Sequence, residues 1–205
     1  IWRIAPVGHR PPARKVPADS DRGELFTLLT SPEKWWRDAA RTELASRADD
    51  ALRQEALQWT SRQVGQSLLE GLWLLSALGS PDPAQIDRAL TDADPRLRAA
   101  AVRLMPEAFD ATQSLSRLEQ AVSDAHPQVR LEAVHGLRRL ASPEALLLCT
   151  RALAAEQDVF LDFALWRTFR ETEGIWLPEL LNNPRWQELS ATVLIPLAKA
   201  ARSPA

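Results

Sequence analysis

The sequence predicts an all-α protein: a right-handed α-solenoid of about six helical hairpins over residues 23–205, behind a short extended tail at residues 1–22. Three observations predict it. From Gly23 onward leucine, alanine, glutamate, glutamine and arginine dominate, tyrosine is absent, and the β-branched runs expected of strands are missing. Apolar residues recur near the helical period, as at Leu115, Leu118 and Val122 or at Ile86 and Leu90. A short motif also returns at an interval close to 31 residues, which marks stacked helical units.

The tail comes first in chain order. "IWRI" alternates apolar and polar residues and reads as the end of a β-strand. "APVGHRPPARKVPADSD" follows, and its prolines at 6, 11, 12 and 17 favour extended or irregular chain. Residues 1–22 therefore read as a strand remnant plus a linker. With neither an initial Met nor a basic-apolar leader, the chain reads as a piece of a longer protein.

Helix starts are marked by a capping side chain before a proline: Ser31–Pro32, Ser80–Pro81, Asp94–Pro95, Ser142–Pro143 and Asn183–Pro184. These signals place first helices near 23–30, 50–62, 82–91, 112–123, 143–155 and 175–182. Second helices fall near 33–47, 65–79, 95–106, 127–141, 157–171 and 184–202.

The repeat is clearest where "DADPRLRAAAV" and "DAHPQVRLEAV" lie 32 residues apart, at 92 and 124. Trp36-Arg37-x-x-Ala40 matches Leu97-Arg98-x-x-Ala101 and Val129-Arg130-x-x-Ala133, and Phe160-Leu161-x-x-Ala164 is a weaker copy without the arginine. The small residues Ala40, Gly71, Ala101, Ala133 and Ala164 are expected where the two helices of a hairpin press together. The arginines suggest a structural ladder of Arg37, Asp92, Arg98, Asp124 and Arg130, the aspartate of one repeat facing the arginine of the next.

These residues resemble the HEAT repeat, whose second helix opens with the pattern Asp-x-x-Pro-x-Val-Arg-x-x-Ala, and the resemblance extends over residues 23–203. It implies a curved array with the second helices on the concave side. A narrower resemblance rests on the order of "IWRI", "ELFTLLTSPEKWWRDAARTELASR" and "LLEGLWLLSALG". It is to the membrane-bound dehydrogenase domain proteins of planctomycetes and related bacteria. In these a sugar-dehydrogenase-like β-propeller precedes HEAT repeats, and a c-type cytochrome module often follows. The resemblance implies a preceding propeller domain as partner, an extracytoplasmic (periplasmic) location, and a haem c or quinone-type cofactor elsewhere in the parent protein.

No cofactor, metal or catalytic constellation is expected in this stretch itself. The single cysteine, Cys149, lies in the apolar run "ALLLCTRAL" and reads as core; it excludes a Cys-x-x-Cys-His haem motif. His9, His126 and His135 have no ligand spacing, and His126 reads as a helix cap. The paired acids Asp49–Asp50 and Asp92/Asp94 stand at helix starts, where the macrodipole favours them. No run of 18 apolar residues exists, so no membrane insertion is expected.

Net charge is -2 and pI about 6.0, which gives no global drive toward nucleic acid. A local alternative is a DNA-glycosylase-like basic groove built from Arg96, Arg98, Arg103, Arg130, Arg138, Arg139 and Arg151. The interleaved acids favour a solvated mixed face instead. The leading expectation is a scaffold for another domain or protein. In "PEKWWRDAA" the register assigns Trp36 to the core, with about 3–5 kcal/mol lost on truncation. It leaves Trp35, aligned with Arg96 and Gln128, as a candidate docking residue against the tail or a neighbouring domain. Trp59, Trp73, Trp166, Trp176 and Trp186 mostly read as core.

Overall fold

The computed structural model describes residues 17–153 and 158–201. Among them every regular element is helical. Six first helices, α1 (Arg22–Leu28), α3 (Asp50–Ser61), α5 (Pro83–Leu90), α7 (Ala111–Ala121), α9 (Pro143–Leu153) and α11 (Glu173–Asn182), alternate with second helices. The second helices are α2 (Lys34–Ser46), α4 (Gly65–Ala77), α6 (Pro95–Ala108), α8 (Pro127–Leu140), α10 (Val159–Glu171) and α13 (Ala191–Ala200). A one-turn helix, α12 (Pro184–Gln187), interrupts the sixth hairpin.

The chain is an α-solenoid. Each second helix packs on the next, from α2 through α4, α6, α8 and α10 to α13, whereas extensive contact between first helices is confined to α9 and α11. A layer whose helices lie closer together is the inner layer of a bent stack, so the second helices form the inner face. Three apolar clusters fill the interior: Leu25 to Leu78 in the first two hairpins, Leu68 to Leu104 across α4–α6, and a large one from Ala99 to Ala200. Ala40, Ala101 and Ala133 are fully buried and Ala164 nearly so. Gly71 shows why small residues stand there: a Cβ on it would lie 2.5 Å from Oγ1 of Thr60 in the paired helix α3.

Several boundaries differ from expectation. Residues 1–16, which hold the strand remnant and most of the linker, lie outside the described residues. Residues 17–22 belong to the fold: Pro17–Asp19 forms a 3-10 turn against α2, and Arg47 donates to the carbonyls of Ser20 and Ala18 at 2.7 and 2.9 Å. Asp21 then caps α1 in a reciprocal capping box with Glu24. Asp82–Pro83, rather than Ser80–Pro81, opens α5, because the Asp82 carboxylate accepts from the Gln85 N–H. Ser31–Pro32 lies in the turn ahead of α2, whose cap residue is Glu33. The other three Pro signals stand where expected, at Asp94, Ser142 and Asn183.

The helix expected over 184–202 is broken. The N–H of Leu189 turns back to Trp186, three residues away, which tightens and ends α12, and Ser190 opens α13. The register of α10 is also shifted by one. Phe160, aligned with Val129 by sequence, is 70% exposed, while Leu161 is fully buried and takes the place of Val129. The repeat interval there is 32, and burial of Leu161, Leu165 and Phe169 on one helical face decides it.

Candidate functional site

The ladder arginines close turns. Arg98 donates from one Nη to the carbonyls of Asp92 and Ala93 at 2.9 and 3.0 Å, folding back over the turn before its own helix. Arg37 does the same to Ser31 and Pro32, and Arg130 to Asp124 and Ala125. In the copies at 92–98 and 124–130 the arginine and the aspartate therefore meet within one repeat through a backbone carbonyl, which sequence reasoning did not foresee.

The rung between repeats runs opposite to the expected direction. Nε and the second Nη of Arg98 donate to both oxygens of Asp124, each at 2.8 Å, so the arginine of one repeat holds the aspartate of the next. The upstream side offers no such acceptor, because the turn before α4 is Arg62-Gln63-Val64. Asp92 instead accepts from the N–H of Asp94, within its own turn. Burial of Asp124 opposes ionisation, but the Arg98 hydrogen bonds and the His126 N–H outweigh it and hold its pKa below the ordinary 3.8.

Arg37 finds a different partner. Its Nε donates to Glu70 at 2.8 Å, the other oxygen of Glu70 accepts from Arg41 at 2.6 Å, and Gln66 donates at 2.9 Å. The Glu70 side chain is 6% exposed. Sequence reasoning missed Glu70 and Arg41, although a lone carboxylate in the apolar run "LLEGLWLL" was a signal.

Two grooves open on the second-helix face. The first, of about 500 Å³, lies across α2, α4 and α6 and is lined by Lys34, Arg41, Leu69, Trp73 and Arg103, with Glu70 at its base. The second, of about 370 Å³, lies between α10 and α13, where Phe163, Trp166, Phe169, Pro196 and Lys199 line it. Phe163 stacks on Trp166 with centroids 5.8 Å apart, and the Arg170 guanidinium sits 5.6 Å over Trp166.

The tryptophans divide differently from expectation. Trp35 is 62% exposed, edge-on to Trp36 at 4.5 Å; the tail it was expected to meet lies outside the described residues. Trp36 is half-buried rather than core. Trp176 and Trp186 are core, Trp59 and Trp73 half-buried, and Trp166 42% exposed.

Most arginines of the supposed basic stripe are matched by acids. Arg96 pairs with Asp94, Arg98 with Asp124, Arg138 with Glu171 and Arg151 with Glu119, all within 3 Å. Cys149 is fully buried, and desolvation raises its thiol pKa far beyond the ordinary range, so it is inert packing. His126 caps α8 through Nδ1, and His135 is half-buried, with its pKa lowered by burial. Among the described residues no cluster of His, Cys, Asp and Glu is arranged for a metal, and no helix is long and apolar enough to cross a membrane.

Residues 83–161, which hold hairpins three and four and the first helix of the fifth, match the family model for HEAT repeats. The flanking hairpins continue the same stack. Similar solved structures include an engineered protein, at 16% identity and TM-score 0.43, matched over 89% of this chain and 98% of that one. Two designed armadillo repeat proteins are also similar. One, in complex with the peptide (KR)4, has 16% identity and TM-score 0.36, covering 87% of this chain and all of its own. The other has 14% identity and TM-score 0.40, over 91% and 98%. No curated protein matches the chain.

Proposed function

We propose that this solenoid is an interaction scaffold whose second-helix face receives another protein or domain. One observation carries the reading: the inner layer is continuous, yet it leaves two grooves whose aromatic walls, Trp73 in one and Phe163 with Trp166 in the other, are not used up by the core. In this reading the rungs Arg98–Asp124 and Arg37–Glu70 set the spacing of the helices that carry those walls.

The parent protein is a dehydrogenase-related multidomain protein, by the order of its tail and repeat segments. The solenoid stands beside a preceding β-propeller, Trp35 is the docking residue toward it, and haem c or a quinone-type cofactor is held elsewhere in an extracytoplasmic enzyme. The parent gene tests this part: an upstream propeller and a downstream Cys-x-x-Cys-His support it, and a start codon just before Ile1 overturns it.

Position-specific photo-cross-linking tests the scaffold reading. Probes at Thr42 and Ser76 on the second helices are compared with probes at Gln54 and Gln85 on the first helices, in the parent protein. Cross-links confined to the second-helix probes are expected; equal cross-linking from both layers refutes the assignment of the face.

A further inference from the structure

Equivalent positions of successive second helices form two rows. Leu69, Ala99, Leu131, Phe163 and Ile195 lie 30, 32, 32 and 32 residues apart. Four residues after each, about one helical turn further along the same face, stand Trp73, Arg103, His135, Arg167 and Lys199. The structure places both rows on one surface. Leu69, Trp73 and Arg103 line the first groove, and Phe163 and Lys199 line the second. In between, the charge of Arg103 acts on His135. The apolar row rises toward the C-terminal end: Ala99 is buried, Leu131 half-buried, and Phe163 and Ile195 are 59% and 55% exposed.

Charge is segregated between the layers. The six second helices carry 12 basic and 7 acidic residues. The six first helices carry 5 and 8, in a chain whose net charge is -2. The row itself is basic at Arg103, Arg167 and Lys199. Glu132 approaches Arg103 only to 3.8 Å, and Glu171 is shared between Arg167 and Arg138.

We propose that the second-helix face binds an acidic amphipathic α-helix of a partner protein. It lies along the array with its apolar edge on Leu69, Leu131, Phe163 and Ile195 and its carboxylates toward Arg103, Arg167 and Lys199. This deepens the scaffold reading and rests on it. Packed helices stand about 10 Å apart. A helix laid across them advances that distance in about seven residues, so every seventh residue presents the same edge to the next second helix. An extended strand covers the distance in about three residues, and an odd step turns successive side chains to opposite faces. A helix of about 28 residues reaches from α4 to α13. A nucleic-acid duplex would use the basic row but keeps its bases stacked inside and has nothing to place on Phe163 and Ile195.

The test is fluorescence anisotropy with the full chain near physiological salt. The probe is a labelled 28-residue acidic helix with leucine at heptad spacing. A scramble of equal composition, the same helix with Lys for Glu, and a 21-base-pair DNA duplex serve as comparisons. The acidic helix should bind at least tenfold more tightly than its scramble. Phe163→Ser with Ile195→Ser, and Arg167→Glu with Lys199→Glu, should each weaken it at least tenfold. All four positions are exposed, and unchanged circular dichroism and urea midpoint confirm folding. Equal binding of helix and scramble overturns the proposal, as does binding unchanged by both double variants. Tighter binding of the basic helix, or of DNA, at the same variants overturns the acidic-helix assignment and leaves the face standing as a binding surface.

Discussion

Glu70 shows most plainly how a single side chain holds two repeats in place. Its carboxylate is almost fully buried and receives Arg37, Arg41 and Gln66. Glu70→Ala leaves Arg37 with only the carbonyls of Ser31 and Pro32 and Arg41 with Asp38, and about 3 kcal/mol of stability should be lost by urea denaturation. Asp124 makes a separable prediction. Its folded-state pKa lies below the ordinary 3.8, so its contribution is present above that value and is lost as pH falls through the lower, folded pKa. Urea midpoints of wild type and Asp124→Asn should therefore differ above pH 4 and converge as pH drops further; parallel curves across that range would discount the Arg98 rung. Trp36→Ala should cost about 1–2 kcal/mol, less than the core loss expected from register alone, because the ring is half-buried. Arg98 and Asp124 were legible as ladder residues because both recur at a fixed offset. The Glu70 rung was not, because its acceptor sits inside a helix and recurs nowhere else.

At the scale of the element, the hairpins depend on close approach of their two helices. A Cβ at Gly71 meets Thr60 Oγ1 at 2.5 Å and Cγ2 at 2.6 Å, so Gly71→Ala should destabilise by about 1–3 kcal/mol. Thr60→Ala removes both atoms. In a double-mutant cycle the second change should recover most of the loss of the first, and additive effects would show that the contact is not the cause. Helix positions were largely readable, since caps and prolines act locally. The register of α10 was not. Ala164 imitates the small residue of the motif, and only burial of Leu161 and Leu165 on the core face reveals the shift by one.

For the whole molecule, the extensive contacts of each described hairpin are with its neighbours, so damage should stay local. Hydrogen exchange of the Glu70→Ala variant should show faster exchange in α1–α4 with protection in α8–α10 nearly unchanged. A uniform loss of protection would mean that the array opens as one cooperative unit. The period near 31 made this architecture visible in the sequence. The grooves were not visible, because they depend on which faces the neighbouring helices leave uncovered.

The links between hairpins also differ in kind, with a mechanical consequence. Hairpins three and four are tied by the two-pronged Arg98–Asp124 bond, and one and two by Glu70 gripping two arginines. Between five and six, Arg170 reaches only the neutral carbonyls of Ala200 and Ala201, at 3.4 and 3.3 Å. Arg138–Glu171 likewise ties four to five by charge, and the Trp176 indole N–H adds a buried bond to the Phe169 carbonyl, at 2.7 Å, between five and six. A load that bends the array works against different bonds at different joints; at the last of them Phe163 of α10 and Pro196 of α13 line the second groove, so that bending there changes its width.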